Sequence, residues 1–323
     1  MKKFIGCDLG GTNLRAAVVD VDNGDVLHLA SIPTLAREMH AAVMQRMADL
    51  VLHVLQSAGL NKDDIGGIGI GVPGVLDLEK GETLFLPNLP GTWPHIPLAN
   101  TITRRTGLPT TLLNDVRAIT NGEWQFGAGR GVDTLAVFAI GTGIGGGLVI
   151  NGRLHLGLGG TGGELGHTMI DFNGPACGCG NNGCLETYAS GPAIAAMGMK
   201  AVAQGRTTRI AELCDHDLNR ITPKLIADAA QAGDEIAKDI YEKAGFYIGI
   251  AAANVCAAIG PRRIIIGGGV ARAGELLLDP IRRTVRQRVH IMPVDQVEIV
   301  PSQLGDNAGI IGVACWAAQL SDR

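Results

Sequence analysis

Between Glu164 and Glu186 the chain sets a histidine and three cysteines in an order suited to a metal. It reads Glu164-Leu165-Gly166-His167, then nine residues, then Cys177-Gly178-Cys179-Gly180-Asn181-Asn182-Gly183-Cys184-Leu185-Glu186. One imidazole and three thiolates complete a tetrahedral zinc shell, and four protein ligands leave no open position for water or substrate. A zinc ion held by His167, Cys177, Cys179 and Cys184 is therefore expected to be structural. Gly178, Gly180 and Gly183 let a short loop wrap an ion through backbone angles closed to other residues. The alternative is three free thiols in a glycine-rich loop, which explains the ligand-like spacing beside a histidine poorly. Glu164 and Glu186 stand outside this shell, and rigidly held carboxylates accept well from sugar hydroxyls. The knot reads as a device for placing them.

Three glycine clusters could hold phosphate. Asp8-Leu9-Gly10-Gly11-Thr12-Asn13-Leu14-Arg15 joins two strands, its glycines clearing side chains from where a phosphate meets backbone amides. Thr12 offers a hydroxyl and Arg15 a guanidinium, while Asp8 could hold magnesium through water. A plain hairpin turn is the alternative, since glycine and asparagine turns are common. The segment Gly141-Thr142-Gly143-Ile144-Gly145-Gly146-Gly147 supplies a second turn. Its Gly141, Gly143 and Gly146 have the dinucleotide-fingerprint spacing. That fingerprint needs a helix afterwards, and Leu148-Val149-Ile150 reads as a strand instead. Gly267-Gly268-Gly269 precedes an expected helix near Ala271, whose amides could meet a nucleotide. No Walker A sequence with its lysine is present.

Leu112-Leu113-Asn114-Asp115 ends a short apolar strand with an amide and a carboxylate. A carboxylate there can take the proton from a hydroxyl as its oxygen attacks phosphorus, and the amide can orient that hydroxyl. A helix cap is an equally good local reading of an Asn-Asp pair.

These residues need rigid elements beneath them. At 323 residues, 46% hydrophobic and 18% charged, the chain can build two globular domains. A formal net charge of -4 encodes no broad attraction for nucleic acid. Seven cysteines, three in one loop, suit a metal site in a reducing compartment better than a disulfide framework. No secretory signal is visible, and the apolar stretch 244–259 is shorter than the ~20 residues needed to cross a bilayer. A cytoplasmic protein without a membrane partner is expected. Strands are expected over 4–9, 14–21 and after Asp22-Asn23-Gly24, as an antiparallel meander, with a helix over 37–58 and a strand over 65–72. Residues 134–150 repeat the strand, glycine-threonine turn, strand grammar, which suggests two similar lobes facing one another. Helices are expected over 192–258, a strand over 263–266 and a last helix over 308–320.

With these pieces in place, the chain resembles the ROK family of sugar kinases and sugar-responsive repressors. The resemblance rests on Asp8 to Arg15, Gly71-Val72-Pro73-Gly74, Pro87-Asn88-Leu89, Asn114-Asp115, Gly141 to Gly147, Glu164 to His167, Cys177 to Glu186 and Gly267 to Gly269. It implies an α/β, two-lobed actin-like or hexokinase-like ATPase fold, ribonuclease H-like, with a structural zinc loop over 164–186. The implied lobes are residues 1–118, joined by a C-terminal helix 305–323, and residues 119–304. It further implies ATP, Mg2+ and Zn2+ as cofactors, and Asp115 as the base acting on the 6-hydroxyl of a hexose. Gly74, Asn88, Asn114, Glu164, His167 and Glu186 would hold the sugar, His167 being shared with zinc. Gly10, Gly11, Thr12, Arg15, Thr142 and Gly143 would meet the phosphates, Gly268 and Gly269 the adenosine, and magnesium would sit by Asp8. Homodimers are the family's usual form. Two places depart from the family's habit: the pair Val116-Arg117, where small or amide residues are common, and Gly163, where alanine is frequent.

Glucose is the first substrate expected, with fructose, mannose, allose and N-acetylmannosamine open, and polyphosphate open as donor. Repressors of the family carry a DNA-binding domain before the first phosphate loop, whereas only seven residues precede Asp8 here, so a repressor is not expected. A silent sugar sensor is the other rival, disfavoured by the presence of Asp8, Thr12, Asp115 and Thr142.

Overall fold

A computed structural model describes residues 2–321, in two compact units: Met1–Gly131 with Leu154–Gly162 and Gln303–Arg323, and Val132–Arg153 with Gly163–Ser302. Met1, Asp322 and Arg323, which the expected lobe bounds include, lie outside the described residues.

The first unit opens with β1 (Lys3–Leu9), β2 (Asn13–Asp20) and β3 (Val26–Pro33), followed by α1 (His40–Ser57) and β4 (Ile65–Val72). A small hairpin, β5 (Val75–Asp77) and β6 (Glu82–Phe85), leads to α2 (Leu98–Thr106), β7 (Thr110–Asn114) and α3 (Asp115–Phe126). The sheet order is β3-β2-β1-β4-β7, antiparallel through the first three strands and parallel from β1 onward. Side chains alternate across a strand, and both faces are used here. Ile5, Cys7 and Leu9 pack with Val43, Met47 and Val54 of α1 and with Ile102 of α2. On the other face, Phe4, Ala17 and Val19 pack with Ile310, Ile311 and Ala314 of the C-terminal helix. Burial on both faces explains why β1 reads as a nearly continuous apolar run.

The second unit runs through β8 (Leu135–Ile140), β9 (Ile144–Ile150) and the edge strand β10 (Arg153–Leu154). Helices α4 (Glu186–Ala189), α5 (Gly191–Ala203), α6 (Arg209–Leu213), α7 (Pro223–Gln231) and α8 (Glu235–Ile259) follow, then β11 (Arg263–Gly267), α9 (Glu275–Arg288) and β12 (Glu298–Pro301). Its order, β10-β9-β8-β11-β12, again combines an antiparallel hairpin with parallel strands. The strand-turn-strand grammar thus does occur twice. Asp234 caps α8 by accepting from Ala237 N at 2.9 Å. Among the described residues, no helix is long and apolar enough to cross a membrane.

The chain returns to the first unit as α10 (Ala308–Ser321). It packs against α3 at van der Waals limits: a Cβ on Gly312 would lie 1.7 Å from Ala118 O, and one on Gly122 2.2 Å from Ala308 O. Glycines at the crossing therefore seat α3, and with it Asp115.

Two local expectations need correction. The run 141–147 is not one glycine turn, because β9 begins at Ile144 and Gly145, Gly146 and Gly147 pair with Ala139, Phe138 and Val137. The reason is steric: a Cβ on Gly146 would lie 2.6 Å from Gly163 O and 2.5 Å from the Leu165 side chain, so this strand must be bare where 163–167 crosses it. Nor does the expected helix start near Ala271. Gly269–Ala273 is a short 3-10 turn, and Gly274, at φ 63°, breaks it before α9 starts at Glu275.

Candidate active site

In the first unit, Asn114 is the last residue of β7 and the N-cap of α3. Its Oδ1 accepts from Val116 N at 3.0 Å, Arg117 N at 3.3 Å and Arg117 Nη1 at 3.0 Å, while its Nδ2 donates to Gly74 O at 3.2 Å. The capping reading of this pair is thus correct, and it positions Asp115 rather than competing with it. Asp115 is the first residue of α3 and half-buried, where the positive end of the helix dipole favours a negative charge. Asn88 is exposed, and its carbonyl oxygen lies 3.3 Å from where a Gly11 Cβ would stand.

The first phosphate-loop candidate is the β1–β2 turn, closed by Gly10 N donating to Asn13 O at 3.0 Å. Gly11 and Thr12 are exposed at its tip. A residue that sequence reasoning missed holds it from behind. Buried Thr34 donates its hydroxyl to Gly10 O at 2.6 Å and its N–H to Thr12 O at 2.8 Å, and Arg46 Nη2 donates to Thr34 O at 3.1 Å. No motif marks Thr34, because the turn residues it holds, Gly10 and Thr12, lie more than twenty positions away. Arg15 is engaged within the protein: Nη1 donates to Asp306 O at 2.6 Å and Nη2 to Asn307 Oδ1 at 2.9 Å. It pairs across the strands with Asp8. Burial, then the Asp115 charge, push the Asp8 carboxyl up to about 6 against the pull of Arg15.

In the second unit, Thr142 is exposed at the β8–β9 turn, where Gly141 N donates to Gly143 O at 2.8 Å. Glu186, first residue of α4, lies against this turn: its Oε2 accepts from Ile144 N at 2.8 Å. A Cβ on Gly143 would stand 2.4 Å from that oxygen, so the turn must be glycine for the carboxylate to reach it. Glu164 is exposed, and its carbonyl accepts from His167 N at 3.0 Å. Gly268 and Gly269 are exposed beyond β11.

His167, Cys177, Cys179 and Cys184 come together with their ligand atoms within 4.8 Å of one another. Cys179 Sγ and Cys184 Sγ are 3.7 Å apart, and Cys177 Sγ and His167 Nδ1 are 3.6 Å apart. Tetrahedral zinc, with bonds of ~2.3 Å to sulfur and ~2.05 Å to nitrogen, demands separations of ~3.8 and ~3.6 Å for such pairs. The donor set fits zinc in type and spacing. Nδ1 faces the thiols, which leaves Nε2 for another partner. Bridges Met169↔Cys184 and Ala176↔Asn182 staple the loop, and Gly183 N donates to Pro175 O at 2.8 Å. The four other cysteines, Cys7, Cys214, Cys256 and Cys315, are buried and free.

The model of the ROK family matches residues 4–320. The chain belongs to the ROK family. Among its relatives, the glucokinase of Thermotoga maritima is 38% identical, over 97% of this chain and 96% of its own. A xylose repressor of Caldicellulosiruptor bescii is 34% identical over 99% of this chain and 78% of its own. The crystal structure of a ROK family glucokinase from Streptomyces griseus in complex with glucose and AMPPNP superposes with a TM-score of 0.83 at 34% identity, covering 98% of this chain and 99% of that one. This ROK protein therefore has the two-lobed α/β fold of the family's sugar kinases.

Proposed function

We propose that this protein is an ATP-dependent hexose kinase that phosphorylates the 6-hydroxyl of glucose. The observation that carries the reading is the seating of Asp115: a half-buried carboxylate at the start of a long helix, beside an amide whose orientation its own hydrogen bonds fix. As the sugar O6 attacks the γ-phosphorus, its proton passes to Asp115, the O6–P bond forms and the bond to the bridging oxygen of ADP breaks. Such transfer rests on positioning and charge neutralisation. Asn88, Asn114, Gly74, Glu164, His167 and Glu186 hold the sugar in this reading. Gly10, Gly11, Thr12, Thr142 and Gly143 receive the phosphates, with Arg15 bracing the first turn, and Gly268 and Gly269 adjoin the adenosine. A divalent cation suits Asp8, since it would relieve both the cost of burying that carboxylate and its repulsion by Asp115. Mg2+ there would neutralise charge on the phosphates, and Zn2+ on His167, Cys177, Cys179 and Cys184 would hold the loop. The two compact units are taken as the kinase lobes, and the working form as a cytoplasmic homodimer without nucleic-acid or membrane partners.

Relatives named as glucokinases, and one named as a glucokinase bound to glucose and AMPPNP, support glucose and ATP as the pair. The xylose-repressor relative keeps a sugar-sensing reading as the rival. ADP release from MgATP with single hexoses, run beside Asp115→Ala, separates them. Glucose should drive release, and the variant should bind glucose yet lose ~100- to 10,000-fold in turnover. A drop below about tenfold contradicts the base assignment. Release with another hexose moves the substrate, and release with none favours the sensor.

A further inference from the structure

Arg117 is 1% exposed, and is one of the largest fully buried side chains of the protein. Burying a guanidinium is costly unless its donors are used, and an apolar side chain of similar volume fills such a space more cheaply. Two of its nitrogens donate to groups beside the candidate site. Nη1 donates to Asn114 Oδ1 at 3.0 Å, and Nε donates to Gly162 O at 2.9 Å, two residues before Glu164.

The first contact constrains an amide. Asn114 Oδ1 already accepts the two capping N–H groups, and the third donor from Arg117 makes the flipped amide, with Nδ2 facing three donors, untenable. Nδ2 therefore points away from the cap, gives one hydrogen to Gly74 O and retains one. What Asn114 can offer a ligand is a single donor, next to the acceptor Asp115. A donor of fixed direction reads the oxygen of a hydroxyl and rejects an analogue without it, because a buried donor left unpaired is penalised. The second contact ties the same guanidinium to the segment that runs into Glu164.

We infer that Arg117 is a positioning residue for sugar recognition: it locks the Asn114 carboxamide with Nδ2 outward and fastens α3 to the chain entering Glu164. The inference rests on the hexose-kinase reading.

The test is a double-mutant cycle in steady-state kinetics with glucose and MgATP. It uses wild type, Arg117→Met, Asn114→Ser and the double variant, with Arg117→Lys alongside. Serine keeps a helix cap but has no amide to orient. Arg117→Met should lose roughly tenfold or more in kcat/KM for glucose in the wild-type background and less than about threefold in the Asn114→Ser background, with KM for ATP unchanged. Arg117→Lys, which can reach only one acceptor, should fall between. Equal losses in both backgrounds, or a loss shared by KM for ATP, overturn the inference and leave Arg117 as packing. Should Arg117→Met fail to fold, Arg117→Lys carries the same cycle. A wild type that releases no ADP with any hexose removes the kinase reading and this inference together, whereas an active wild type with an additive cycle removes this inference alone.

Discussion

Asp8 and Asp115 are two carboxylates of the first unit that disturb one another, and the disturbance has a measurable sign. Burial and the Asp115 charge raise the folded pKa of Asp8 from 3.8 to about 6. A group raised in this way stabilises the fold fully below its unfolded pKa, and that stability is lost as pH rises through 6. At pH 7.5 without nucleotide or metal, Asp8 therefore costs up to about 3 kcal/mol. Asp8→Asn removes the charge, so it should raise the melting temperature above pH 6, leave it nearly unchanged at pH 4, and abolish turnover. Scans at both pH values check this, and equal shifts at the two would refute the electrostatic account. Both aspartates were legible in the sequence because short motifs carry them. What each neighbour does was not. Arg15 looks like a phosphate ligand beside Gly10-Gly11-Thr12, yet its terminal nitrogens bond to Asp306 and Asn307, almost three hundred positions away. Thr34 carries no motif at all, since its task exists only once β3 has paired with β2.

The loop of the candidate zinc ligands is the element most directly legible in the sequence, because these four residues lie within eighteen positions and need only local chain reversal to meet. Its chemistry predicts a pH dependence. Each thiol must lose a proton to bind metal. Burial pushes Cys184 up to about 12, while the backbone hydrogen bond from Asn181 holds Cys179 below its ordinary value. Zinc uptake should therefore release protons, and affinity should weaken as pH falls. Elemental analysis should find one zinc per chain, and a chromogenic chelator should strip it faster at pH 5.5 than at pH 8. Hydrogen exchange after stripping should rise first over 167–187, since structural zinc contributes roughly 10 to 16 kcal/mol in small peptides. Unchanged protection there would mean the bridges alone hold the loop. The second candidate phosphate turn was harder to read, for a reason visible at Gly146. Its glycines serve two ends, a tight turn at 141–143 and a bare strand surface at 145–147, and composition does not separate them.

Across the whole molecule the chain passes between its two units after Gly131, Arg153, Gly162 and Ser302, so the ends of the first unit's segments must be fastened within it. Buried Glu123 of α3 does this for two of them. Its carboxylate accepts from Ala128 N at 2.9 Å, just before the chain leaves, and from Gln303 N at 3.0 Å and Leu304 N at 2.8 Å, just after it returns. Arg117 does the same for Gly162 from the other end of that helix. One helix thus carries the proposed base at its first residue and, on buried charges, the anchors of three chain passages. Nothing in the local sequence marks Glu123, which stands near the helix end like an ordinary surface glutamate. Its importance comes from three backbone donors that only tertiary folding brings to it. Glu123→Ala takes the acceptor from the buried Ala128 amide, at ~1 to 3 kcal/mol, and from the part-buried Gln303 and Leu304 amides at less, so a loss on the order of 3 kcal/mol is expected. That corresponds to roughly 6 to 12 °C in melting temperature for units of this size. Glu123→Gln should recover only part of it, because Nε2 would turn a donor toward donors. Urea unfolding measures both variants, and a Gln variant within about 0.5 kcal/mol of wild type would mean that water, and not the carboxylate, satisfies these amides.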